Sequence, residues 1–171
     1  MKFVLGVVVG ILLIPISIYF YFRFGYAPVA TAASPIPFEQ KLAKMGLHAR
    51  INAEYPRAIP FQATDNDLQN AAHLYRQHCA ICHGVPNNAK TATAKGMYPA
   101  PPQLFHGTGV TDDQAGETYW KVANGIRLTG MPAYRGDVSD HDIWSISEML
   151  AGADKLPADV QAILNQTVKE Q

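Results

Sequence analysis
The only two cysteines of the chain, Cys79 and Cys82, stand three positions apart and are followed at once by His83. Nothing else in the 171 residues constrains the fold as strongly. A lone C-x-x-C pair closes too short a loop to staple a domain, so a disulfide framework is excluded. A redox dithiol of thioredoxin type wants a strand before it and alternating strands and helices around it, and this sequence offers neither. A closed zinc site needs four ligands, and the histidines beyond the motif, His106 and His141, lack finger-like spacing. What remains is C-x-x-C-H as the attachment site of a c-type haem. Two thiols add across the two porphyrin vinyl groups, and the adjacent imidazole reaches the iron from one face. One covalent haem c, held by Cys79, Cys82 and His83, is therefore expected. Such attachment takes place outside the cytoplasmic membrane, which sets the compartment of the residues around it.

The N-terminus bears on the same question. Phe3 to Phe22 carries no charge and is flanked by Lys2 and Arg23. Twenty apolar residues at helical rise match the hydrocarbon core of a bilayer. Pro15 interrupts the run, which membrane helices tolerate. Tyr19, Tyr21 and Tyr26 fall toward its outer end, where amphipathic rings favour the interface. A cleaved signal peptide is the competing reading: Ala30-Thr31-Ala32 resembles an A-x-A cleavage site, but the run exceeds a usual signal core. The expected arrangement is a single-pass anchor in a bacterial cytoplasmic (inner) membrane, with the haem domain facing the periplasm.

Charge excludes one class of partner. Lys plus Arg and Asp plus Glu are 14 each, so nothing argues for nucleic acid. The halves differ, with six basic and four acidic residues over 27–90 and six basic and ten acidic over 91–171. An acidic surface can steer a basic partner, although a solvated face with helix-capping acids is the simpler reading.

The rest reads as helices joined by loops, with no strand pairs and no repeat. Residues 1–26 are expected as the anchor, 27–63 as a linker and extra amphipathic helix, 64–156 as the haem domain and 157–171 as a terminal helix or tail. In the second segment Phe38 to Ile51 has helical spacing, with Phe38, Leu42, Met45 and Ala49 on one face, expected to pack across the domain, with docking of a partner as the alternative. Thr64 and Asp67 have capping-box spacing, and Leu68, Ala71, Ala72 and Tyr75 form a stripe running into Cys79. The proline-rich stretch Gly84–Gly109 is long enough to wrap something functional. A second helix is expected from Thr111, with Asp112 and Asp113 in its first turn, to Gly125. A third is expected from Ser139, capped with Asp142 and carrying Ile143, Ile146 and Leu150, to Gly152. Pro157 suits the start of a short last helix.

The distal iron ligand has many candidates: Met45, Met97, Met131, Met149, His48, His73, His78, His106 and His141. His78 is too near the attachment turn to reach the far face, and His73 and Met149 fall inside helices, where core packing is the simpler role. Met131 stands in a Gly130-Met131-Pro132 turn, which can hold a thioether rigidly. Met97, in the long loop, stays open.

From about Asp65 to Gly152 the sequence resembles a class I cytochrome c domain, in particular bacterial monohaem domains associated with dehydrogenases and terminal oxidases. The matching pieces are "YRQHCAICHG", "YPAPPQL", "ANGIRLTGMPAY" and "DHDIWSISEML". The resemblance implies an all-α fold wrapped around one covalent haem, with an N-terminal helix crossing the C-terminal one near Ala72 or Tyr75 against Trp144. It implies Met131 opposite His83 on the iron. It also implies that Pro102, with Pro101 as the alternative, accepts from the His83 Nδ1–H. Tyr98, Trp120, Arg127, Tyr134 and Arg135 are expected near the haem, as propionate partners or as pocket wall. Met/His ligation raises the potential and closes the iron, which suits electron transfer. The function expected is single-electron transfer between redox proteins, with no small-molecule substrate and no catalytic constellation of the chain's own. A permanent haem subunit of a membrane oxidoreductase is the alternative, and a sensor or peroxidase a third reading.

Overall fold
The computed structural model describes residues 2–87, 90–106 and 111–166. Among these the regular structure is all helical, with one isolated bridge between Arg135 and Val138. The chain divides into two units at Leu42. The first contains α1 (Lys2–Arg23), apolar on all sides and buried nowhere along its length. A helix that is apolar all round suits a lipid environment, and this one is long and apolar enough to cross a membrane or to serve as a signal sequence.

The division falls inside α2 (Glu39–Glu54). The expected packing of its apolar face does not occur. Phe38, Leu42 and Met45 are exposed, and burial is confined to Ile51 among the helix residues. Spacing alone identified an apolar stripe, but Leu47 and Ile51, offset around the helix from that stripe, face inward instead.

The second unit is built on α3 (Asp65–His78). Its start is fixed by a reciprocal cap: the Asp67 N–H donates to Thr64 Oγ1 at 3.3 Å, and the Thr64 N–H donates to Asp67 Oδ2 at 2.8 Å. The side-chain and backbone donors of Thr64 hold the Asp67 carboxyl below its ordinary value. A lowered folded-state pKa gives stability that is full above the ordinary carboxylate range and is lost as pH falls through the lowered value. Asp67→Asn is therefore expected to lower the melting temperature at neutral pH and to approach the parent as the pH falls through that lowered value, as melting curves across pH would show.

After α3 come two single-turn helices, α4 (Ala80–His83) and α5 (Ala92–Lys95), the latter breaking the long stretch that the sequence suggested was irregular. Then follow α6 (Ala115–Asn124), α7 (Asp140–Ala151) and α8 (Ala158–Leu164). Helix α6 begins at Ala115, four residues later than expected. Thr111 has φ 63, outside helical space, and Asp113 lies ahead of the first turn, paired with Lys121. Ser139 caps α7 with Asp142, Gly152 ends it, and Pro157 immediately precedes α8.

Helix α3 packs on α7 and α8, and α6 packs on α7. Two cores result. In the first, Ala71, Ala72 and Tyr75 meet Ile146, Met149, Leu150, Val160 and Leu164. In the second, Tyr119, Val122 and Ala123 meet Ile143 and Trp144. The crossing of α3 and α7 is thus made by Ile146, Met149 and Leu150. Trp144, expected there, stacks instead on Tyr119 with ring centroids 4.3 Å apart and an interplanar angle of 17°. Two positions separate Trp144 from Ile146, which at about 3.6 residues per turn puts the two side chains on nearly opposite sides of α7. Met149 is fully buried as expected, whereas His73 lies on the exposed side of α3.

Candidate metal centre
The attachment turn continues α3 with an offset. Cys79 ends α3 by donating its N–H to the Tyr75 carbonyl at 2.8 Å and opens α4, accepting at its own carbonyl from Cys82 and His83. Gly84, at φ 74, terminates the turn in a conformation costly for any other residue. Spacings of three and four put Cys79, Cys82 and His83 on one side of a single turn. The cysteines are not joined to each other. Burial, reinforced by Cys82, pushes the Cys79 thiol up to about 12. Redox dithiols show the opposite, a depressed thiol.

His83 is oriented by its Nδ1, which lies 2.8 Å from the Pro102 carbonyl oxygen. A carbonyl accepts only, so Nδ1 carries the proton and Nε2 is left as the free donor atom. Burial lowers the His83 pKa against the opposing effect of the Pro102 bond, favouring the neutral imidazole that a metal requires. The Pro102 segment is tied back by Gln103, whose Nε2 donates to the Cys82 carbonyl at 3.2 Å.

Tyr75 braces the turn from below. Its hydroxyl, held neutral by burial, donates to the Gly84 carbonyl at 2.8 Å, and its ring meets Phe105 edge-on. Tyr75→Phe leaves that buried carbonyl without its partner. It is expected to cost about 1–3 kcal/mol in denaturant unfolding. Nothing in sequence spacing distinguished this role from ordinary core packing.

Met131 lies on a different part of the framework. It is half-buried and packs on the second core, while Cys79 packs on the first, and Leu74 touches both. The Met131 N–H donates to Thr129 Oγ1 at 3.1 Å, and the Met131 carbonyl accepts from Ile126 at 3.2 Å, so the segment is a closed loop. The loop is anchored to α6 by the Tyr134 N–H on the Val122 carbonyl at 3.0 Å.

Of the other residues expected near the site, Tyr134 is the one best placed. Its hydroxyl donates to the His78 carbonyl at 2.9 Å beside the attachment turn. Trp120 is directed elsewhere, its Nε1 donating to Glu54 at the end of α2. Arg135 reaches the Tyr119 hydroxyl at 3.5 Å, and Arg127 is exposed. Among the competing histidines, His106 Nε2 lies 3.1 Å from the Val85 carbonyl, and His141 stacks on Phe61.

Among the described residues no group of three or more His, Cys, Asp or Glu side chains is placed to hold a bare metal ion. Two unpaired thiols beside one oriented, neutral imidazole instead suit an iron that arrives in a ring supplying its own nitrogens. Residues 66–149 match the family model of cytochrome c oxidase, cbb3-type, subunit III. The chain carries a class I cytochrome c domain. No curated protein matches the chain closely. This cytochrome domain binds haem c covalently, in keeping with Cys79 and Cys82 in the C-x-x-C-H motif, and its work is electron transfer. Cys79, Cys82 and His83 would hold the haem, which when bound would supply one-electron redox chemistry, and the Pro102 carbonyl fixes the orientation of the imidazole.

Proposed function
We propose that the chain is a membrane-anchored monohaem cytochrome c that passes single electrons between redox proteins on the periplasmic side. In this reading α1 is the anchor, Cys79 and Cys82 would carry the ring, and His83 and Met131 would ligate the iron. The observation that carries the reading is the 2.8 Å contact between His83 Nδ1 and the Pro102 carbonyl. An imidazole locked in one tautomer and one orientation changes little between oxidation states, and low reorganisation is what an electron carrier needs. The match to an oxidase subunit supports a second reading, a permanent haem subunit of a membrane oxidoreductase.

Purification from membranes in mild detergent separates the two. A carrier emerges alone and titrates as one centre, whereas a subunit brings other chains with it. Acid–acetone extraction tests what both share. The pigment is expected to stay with the polypeptide, and its release would overturn covalent attachment. Recovery of the chain from the soluble periplasmic fraction with its N-terminus removed would overturn the anchor.

A further inference from the structure
Met97 occupies a position that neither the attachment motif nor the ligand loop accounts for. Its Sδ is 3.8 Å from Cys82 Sγ. Its other end reaches the residue before Met131: a Cβ added to Gly130 would lie 2.1 Å from Met97 Cε and 3.7 Å from Met97 Sδ. Gly130 is not in the left-handed region, so its backbone does not itself demand glycine. What the missing side chain provides is room for the Met97 methyl.

Met97 is itself held to the attachment turn. It follows α5, which is capped by Thr91 through the Ala94 N–H, and the Thr91 hydroxyl also donates to the Ile81 carbonyl. The Gly96 N–H closes the helix on the Ala92 and Thr93 carbonyls. A side chain launched from this anchored turn therefore spans from Cys82 to Gly130. An unbranched thioether fills such an irregular gap well.

We infer that Met97 is a positioning residue, a strut that sets the Gly130–Met131 segment at a fixed height over the attachment turn. The inference rests on the reading of Met131 as the distal ligand. Met97 does not ligate; it limits how far the ligand loop swings away.

The test uses the full, haem-loaded chain in detergent. Two properties are read: the far-red sulfur-to-iron band of the ferric form as temperature rises, and the rate of carbon monoxide binding to the ferrous form. Met97→Ala is expected to bind carbon monoxide roughly tenfold faster, the size usual for coupling between touching side chains, and to lose the band at lower temperature. Met97→Leu, which refills the gap, should restore near-parental behaviour. Gly130→Ala displaces the Met97 methyl, which is a flexible end, so the protein should fold while shifting in the same direction as Met97→Ala. Adding Gly130→Ala to Met97→Ala should change little more, because the collision partner has gone.

A Met97→Ala protein indistinguishable from the parent overturns the inference, as does Met97→Leu being as impaired as Met97→Ala. So does Gly130→Ala being equally damaging in both backgrounds. If the parent itself lacks the band, the Met131 assignment has failed. If the band is present in the parent and insensitive to Met97, that assignment stands and the positioning role alone is lost.

Discussion
A Met131→Ala protein is expected to lose the far-red sulfur-to-iron band, to bind carbon monoxide readily when reduced, and to show a lower reduction potential. In the proposed ligation, removing the thioether would leave His83 as the remaining protein ligand and open a position on the iron. Met/His ligation holds the potential up, so its loss lowers the midpoint. The covalent links at Cys79 and Cys82 are untouched, and the second core loses only a half-buried partner. Colour and overall fold should therefore survive. Optical spectra, ligand binding and a redox titration check this together. Retention of the band would show that a different methionine closes the iron, with Met97, close to Cys82, the first to examine.

Gly125→Ala is expected to destabilise the domain strongly. Gly125 ends α6 at φ 65, where a side chain is strained regardless of space. Its added Cβ would also lie 2.6 Å from the Ala133 nitrogen, 2.7 Å from the Pro132 carbonyl carbon and 2.9 Å from the Met131 oxygen. These are main-chain atoms of the ligand loop and cannot swing aside as a side chain can. Backbone strain of about 1 kcal/mol adds to an overpacking cost of about 1–3 kcal/mol. Denaturant unfolding should register both. The same displacement pushes on Met131, so the far-red band should weaken in whatever fraction folds. A fully stable Gly125→Ala protein with an unchanged band would contradict the loop geometry.

Local features of the sequence were legible because they are decided locally. The Thr64–Asp67 and Ser139–Asp142 caps need only three-residue spacing, and the attachment turn needs five consecutive residues. The all-helical class followed from the absence of strand patterning and from the family resemblance. What was not legible depends on partners distant in the chain. Asp112 and Asp113 fit a helix start by charge, but Thr111 leaves helical space, and Asp113 faces Lys121 from outside the helix. The stripe on α2 was real as spacing, yet which side of a helix is covered depends on what stands opposite, and Leu42 and Met45 face outward. Trp144 was assigned to the wrong neighbour because positions two apart on α7, Trp144 and Ile146, serve two different cores. The contact of Met97 with both Cys82 and Gly130 joins three separate segments, and no pattern in any one of them announces it.

The acceptor that steadies His83 belongs to the main chain of Pro102 rather than to a side chain. Every residue type carries that oxygen, so most single-codon changes at position 102 would preserve it, and only a rerouted loop would remove it. One half of the iron's protein environment is thereby insulated from mutational drift. In the proposed ligation the other half hangs on the single replaceable side chain of Met131, and it is there that divergence among descendants of this sequence would first alter the chemistry.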